Sequence, residues 1–205
     1  MKTLYLIRHG ETDHNRMNNR LSGISDTKLT PSGIEQCKQL AHIFKRIPVD
    51  TVISSPLSRA LDSAQLIFPT FKDDIRIHDD VIEIDYGQYE GFDRSQGIEK
   101  DAVISRWDTN PGNMSFPGGD NVADHAERVF NGLKSIASNE KGSSIAILSH
   151  RTSIRLIVAK ILKIPLDHFR PIPCDNCSVT TIVSSGKGDL KLVSLNNTHI
   201  FQLDN

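Results

Sequence analysis

An α/β layered domain with a mainly parallel sheet is the fold this sequence predicts. Three features carry the prediction: short apolar runs of strand length, longer runs with apolar residues at helical spacing between them, and polar clusters where two of the apolar runs stop. In such sheets ligands bind outside the carboxyl ends of the strands.

The elements follow in chain order. Thr3 to Ile7 is a short apolar run closed at once by Arg8, His9 and Gly10, which predicts a buried strand delivering Arg8 and His9 at its carboxyl end. Thr30 and Pro31 supply an N-cap and a first helical residue, and Ile34, Cys37, Leu40, Ala41 and Phe44 recur at three- and four-residue spacing up to about Arg46. Thr51 to Ser54 is a second β-prone run closed by Ser55 and Pro56. The helical run Leu57 to Phe68 then puts Arg59 in its first turn. Ile75 to Ile84 has strand character, and Asp85 to Asp93 reads as a loop.

From about Ser95 to Asp120 the chain carries Trp107, Pro111, Gly112, Pro117, Gly118 and Gly119, which predicts one short helix, a long surface loop and a lid-like insertion around 95–120. Trp107 and Phe116 are candidates either for a substrate wall or for the loop's packing anchor. Val122 to Ala137 is helical in period. Ser144 to Leu148 is another buried strand, ending in Ser149, His150 and Arg151, and a helix through Leu162 follows. Ser178 to Val183 and Leu190 to Leu195 form a hairpin around Ser184 to Gly188. The two His-containing clusters, at His9 and His150, fall at the same sheet edge.

With 205 residues the chain fits one domain, 1–205, and one active site. A formal net charge of -1 offers no global positive field for nucleic acid or an anionic membrane, so neither is an expected partner and any anion must be held locally. The apolar stretch near Met1 is too short for a signal peptide or a membrane span, and three cysteines, an odd number, do not make a disulfide framework. Both point to the cytoplasm. The oligomeric state is not legible.

A histidine nitrogen can attack phosphorus, and neighbouring guanidiniums neutralise the phosphate dianion that otherwise repels the nucleophile. Arg8, His9, Arg59 and His150 supply that set if the fold joins them. Two other residue sets suggest other chemistries. His9, His14 and His150 could hold zinc, although arginines beside them would repel a cation, and Cys174-Asp175-Asn176-Cys177 has metal or redox spacing but no second pair.

The segments Leu6-Ile7-Arg8-His9-Gly10-Glu11-Thr12 with Asn15, Leu29-Thr30-Pro31-Ser32-Gly33, Ser54-Ser55-Pro56-Leu57-Ser58-Arg59-Ala60, Glu83 to Gly91, Phe116 to Asp120 and Leu148-Ser149-His150 resemble, in order, the motifs of the histidine phosphatase superfamily. The resemblance is to its bacterial phosphatase branch. It implies the phosphoglycerate-mutase-like three-layer sandwich, with helices on both faces of the sheet. It also implies a histidine acid phosphatase-type phosphomonoesterase that acts on a small phosphorylated metabolite through a phosphohistidine. On that resemblance His9 is the nucleophile, Arg8 and Arg59 bind phosphoryl oxygens, His150 donates to one of them, and Glu83 protonates the leaving alkoxide. Asn15, Arg151 and Thr152 join the substrate-binding set, and no metal or other cofactor is implied. Arg151-Thr152 and Gly119-Asp120-Asn121 depart from the family's usual runs, which bears on the substrate end and not on the phosphate pocket.

The first substrate suggested is α-ribazole phosphate or a sugar phosphate. One alternative is a cofactor-dependent phosphoglycerate mutase, although such mutases carry an Arg-His pair after the acidic residue where this chain has Ile84-Asp85. The other is a non-catalytic phosphate-binding relative.

Overall fold

The computed structural model describes residues 1–16, 20–93, 101–185 and 189–198. Its strands are β1 (Lys2–Arg8), β2 (Thr51–Ser54), β3 (Arg76–Ile77), β4 (Ser144–Ser149), β5 (Val179–Ser184) and β6 (Leu190–Asn197). They form one sheet in the order β3-β2-β4-β1-β5-β6. The first four run parallel, while β5 is antiparallel to β1 and β6 to β5. The helices are α1 (Asp13–Arg16), α2 (Pro31–Phe44), α3 (Ser58–Ile67), α4 (Ala102–Thr109), α5 (Val122–Asn139) and α6 (Arg151–Leu162).

The central strands read as almost continuous apolar runs because both faces of the sheet are covered. Leu4, Leu6, Ile53, Ile145 and Ile147 pack with α5 and α6, whereas Ile7, Val52, Ala146 and Leu148 pack with Cys37, Leu40 and Phe44 of α2 and Ala60, Ala64 and Ile67 of α3. That is the expected three-layer sandwich. Local signals agree with it. The Thr30 side chain caps α2 by accepting from Gly33 N at 3.0 Å, with Pro31 in the first turn.

The run Ile75 to Ile84 departs from its predicted strand. Only Arg76–Ile77 pairs with the sheet, and Asp79–Val81 turns into a short 3₁₀ helix. The polar stretch His78-Asp79-Asp80 suits an edge where the chain leaves the sheet. The segment after α4 is not a loose surface loop either. Met114, Phe116 and Trp107 are buried, and the Phe116 ring packs edge-on against Tyr86 at 4.9 Å and Trp107 at 5.2 Å. Residues 95–100 of the lid-like insertion lie outside the described residues. α1 was not foreseen.

The register sets the position of the site. Arg8 on β1 pairs with Ser149 on β4, and this is the last pair of that ladder. His9 and His150, one residue beyond on each strand, therefore leave the sheet side by side, and His9 N still donates to Ser149 O at 3.2 Å.

Candidate active site

His9 is 5% exposed, and its ring lies 5.2 Å from that of His150, centroid to centroid. Its Nδ1 is 2.7 Å from the carbonyl oxygen of Gly10. A carbonyl only accepts, so Nδ1 carries the proton and Nε2 keeps its lone pair. Burial, followed by the charges of Arg59 and Arg8, holds the imidazole well below the usual histidine range. The ring is therefore neutral, as a nucleophile requires. Glycine at position 10 is required by contact: a Cβ there would stand 2.7 Å from Gly33 O, so the loop that orients His9 is pressed against the first turn of α2.

Arg8 ends β1 beneath His9. Its Nη1 donates to Cys174 O at 2.8 Å, its Nε has no hydrogen-bond partner among the described residues, and burial and then Arg151 bring its pKa down to about 9. Arg59, in the first turn of α3, is 1% exposed. Its two terminal nitrogens donate to the carbonyls of Ser25 and Gly23. The same loop is held from its amide side by the Glu90 carboxylate, which accepts from Gly23 N, Ile24 N and Ser25 N. His150 caps α6 without a side-chain cap bond. It is fully buried, and burial and then Arg59, His9 and Arg8 lower its pKa well below the ordinary value.

Glu83 sits at the amino end of α6, where backbone N–H groups lack partners in the helix. Its Oε2 accepts from Thr152 N at 3.0 Å, and its Oε1 from Ser153 N at 3.1 Å, Ser153 Oγ at 3.1 Å and Ile84 N at 3.0 Å. Thr152 also meets the Tyr86 hydroxyl at 3.2 Å. The Asn15 side-chain oxygen accepts from Thr12 N at 3.0 Å, so the part of that amide left over is a donor, which suits an anion.

A cavity of about 100 Å³ opens on these groups, walled by Arg8, His9, Asn15, Glu83, Arg151 and Thr152. Arg59 and His150 are buried and do not line the cavity as it stands, but both adjoin His9, the His150 ring at 5.2 Å and Arg59 through its charge. Among the described residues no three His, Cys, Asp or Glu side chains are grouped to hold a metal ion, and Cys37, Cys174 and Cys177 are free thiols. Sequence reasoning missed Arg20, Arg155 and Arg170, which also line the cavity. The signal for Arg155 was its place one helical turn after Arg151.

The sequence matches the histidine phosphatase superfamily (branch 1) over residues 4–198. The chain belongs to that family. Phosphoserine phosphatase 1 of Hydrogenobacter thermophilus is 30% identical over 183 residues, which are 89% of this chain and 86% of the relative. "Probable phosphoglycerate mutase GpmB" of Salmonella choleraesuis is 30% identical over 188 residues, 89% of this chain and 85% of that one. A mutant phosphoserine phosphatase of Entamoeba histolytica, solved with phosphoserine, superposes with a TM-score of 0.84 at 27% identity over 97% of this chain and 98% of that chain. This histidine phosphatase thus shares its length and layers with phosphatase neighbours, and a phosphatase acting on a small phosphorylated metabolite is the supported function. No described helix is long and apolar enough to cross a membrane.

Proposed function

We propose that the chain is a phosphomonoesterase of the histidine acid phosphatase type, with His9 as its nucleophile. The observation that carries this reading is the neutral, Nδ1-protonated imidazole of His9, held by Gly10 O at 2.7 Å beside Arg8 and His150. In the first step Nε2 bonds to phosphorus as the ester P–O bond breaks, and the leaving alkoxide takes the proton of the Glu83 carboxylic acid. In the second, water attacks phosphorus, the P–N bond breaks, and Glu83 accepts the water's proton. Arg8, Arg59 and His150 offset the charge on the phosphoryl oxygens, while Asn15, Arg151 and Thr152 face the rest of the substrate. A cytoplasmic setting suits the three free thiols.

The test is phosphate release measured beside a mutase assay on a panel holding phosphoserine, 3-phosphoglycerate, α-ribazole phosphate and sugar phosphates. Stoichiometric phosphate without isomerised ester is the expected result. Interconversion of phosphoglycerates with little free phosphate would replace hydrolase by mutase.

A further inference from the structure

Glu83 gives up and regains a proton in the proposed reaction, so the groups behind its carboxylate meet two charge states in turn. Ser153 Oγ is one of those groups. It lies 2.7 Å from Ile82 O and 3.1 Å from Glu83 Oε1, and its one proton can serve only one of these acceptors at a time. Its other neighbour is Nε2 of His125, on α5, at 3.1 Å. The opposite nitrogen of that ring decides which of the two donates. Arg128 Nη2 is 2.7 Å from His125 Nδ1, and a guanidinium only donates, so Nδ1 accepts and Nε2 carries the proton. His125 is 1% exposed, and burial and then Arg128 bring its pKa down to about 3, so the ring stays neutral. Arg128 is held in turn by Asp120 Oδ2 at 3.0 Å, which also accepts from Asp85 N at 3.0 Å. The circuit thus starts and ends on the segment that carries Glu83. Its donors follow one direction, from Arg128 to His125, from His125 to Ser153, and from Ser153 to Ile82 O or Glu83.

We infer that Ser153 is a positioning residue whose hydroxyl proton swings from Ile82 O to Glu83 Oε1 as Glu83 becomes a carboxylate, and that His125 keeps Ser153 in the donor role. The inference rests on the phosphatase reading above and deepens it. No bond to hydrogen breaks in the swing: the hydroxyl turns about its C–O bond while the His125 N–H occupies its acceptor side. A neutral acid offers the hydroxyl little charge, whereas the carboxylate left after proton donation makes a charge-assisted bond, roughly twice as strong. An interaction that strengthens as the proton leaves Glu83 lowers the barrier to its donation. An unprotonated Nε2 would do the opposite, drawing the Ser153 proton away from both oxygens.

Two amides separate the roles of the His125 nitrogens, since the Gln amide nitrogen can stand in for Nε2 and the Asn amide oxygen for Nδ1. The measurement, on the full chain, is the single-turnover rate of His9 phosphorylation by two esters. One is p-nitrophenyl phosphate, and the other is the alkyl phosphate of the panel above that the parent hydrolyses fastest. Their ratio within one variant cancels any loss of folded protein. Ser153→Ala, which removes one buried oxygen, should lower the alkyl-to-aryl ratio ~10-fold, the effect of a hydrogen bond to a charged group. His125→Asn should lower it about 3-fold, as for a bond between neutral groups, and His125→Gln should recover most of that loss. Nitrogen-15 shifts of His125 should place its proton on Nε2. An unchanged ratio in Ser153→Ala, equal ratios in His125→Gln and His125→Asn, or a proton on Nδ1 would overturn the inference while leaving the phosphatase reading intact. If the parent releases phosphate from no alkyl ester, the phosphatase reading itself fails and this inference with it.

Discussion

Ser55 Oγ lies 2.7 Å from Nε2 of His150. Ser55 follows β2 as His150 follows β4, and Ser55 N donates to Leu148 O at 3.0 Å, so the sheet itself brings the pair together. His150 Nδ1, by contrast, is buried with no hydrogen-bond partner among the described residues. A buried polar atom left unpaired costs about 1–3 kcal/mol, and a phosphoryl oxygen reaching a protonated Nδ1 would relieve it. With the Ser55 hydroxyl as donor to Nε2, the ring carries its proton on Nδ1, the tautomer that can donate to a phosphoryl oxygen.

Ser55→Ala should therefore release the tautomer without emptying the pocket. We expect kcat to fall about 10-fold, the effect of one misdirected hydrogen bond, with a smaller change in KM. Nitrogen-15 chemical shifts of His150 report the tautomer directly. A fall in kcat with those shifts unchanged would mean that Ser55 acts on packing alone.

Turnover should pass through a phosphohistidine on His9. Alkaline quench under single-turnover conditions preserves that adduct and acid quench destroys it, so mass spectrometry should locate it in the first sample only. His9→Ala should abolish turnover yet still bind inorganic phosphate through Arg8, Arg59 and His150. An adduct on a serine, or steady turnover by His9→Ala, would remove His9 from its proposed role.

The layers and the two His clusters were legible in the sequence because apolar runs of strand length and a helical period each report local structure. The Arg8 to Ser149 register was not, since it belongs to the pairing of strands that lie far apart in the chain. Ile75 to Ile84 misled because its β-prone residues sit at a sheet edge where only two of them pair. His125 carries no motif and occupies an ordinary apolar position of α5. The fold nonetheless sets its Nε2 3.1 Å from Ser153 Oγ, which in turn meets Glu83. Arg155 was overlooked for a similar reason: a lone Arg on an amphipathic helix reads as solvated until the cavity beside it is known.

Acid should destabilise the fold through histidines that stay neutral in it. Burial, then Arg128 at 2.7 Å from Nδ1, lowers the pKa of His125 to about 3, and His9 and His150 are also depressed. The unfolded chain takes up these protons below about pH 6.5. Between those values the unfolded state binds more protons, so this stability is complete above about pH 6.5 and is lost as pH falls toward 3. At pH 5 the share of His125 alone is about 2 kcal/mol. Urea unfolding at pH 7.5 and pH 5 should show the loss, and His125→Gln should flatten the pH dependence by about that amount. An unchanged pH dependence in the variant would contradict the assignment.

Glu83 should matter most when the leaving group is poor. Expulsion of an alkyl alkoxide needs a proton in the transition state, whereas nitrophenolate leaves almost unaided. Glu83→Gln has a second effect, because Thr152 N donates to Oε2 and Ser153 N to Oε1. An amide NH₂ cannot accept from both, so some disorder at the start of α6 will slow every substrate. Comparing two leaving groups within the same variant cancels that common loss. Single-turnover phosphorylation of His9 should fall roughly 100-fold or more for a sugar phosphate, the contribution typical of a general acid, and far less for p-nitrophenyl phosphate. Equal losses would make Glu83 a positioning residue that holds Thr152 and Ser153. The nearby carboxylates would not inherit its role. Asp85 accepts from Gly87 N at 2.7 Å, Glu90 is engaged by the amides of Gly23 to Ser25, and neither reaches the cavity. The proton would then have to come from water.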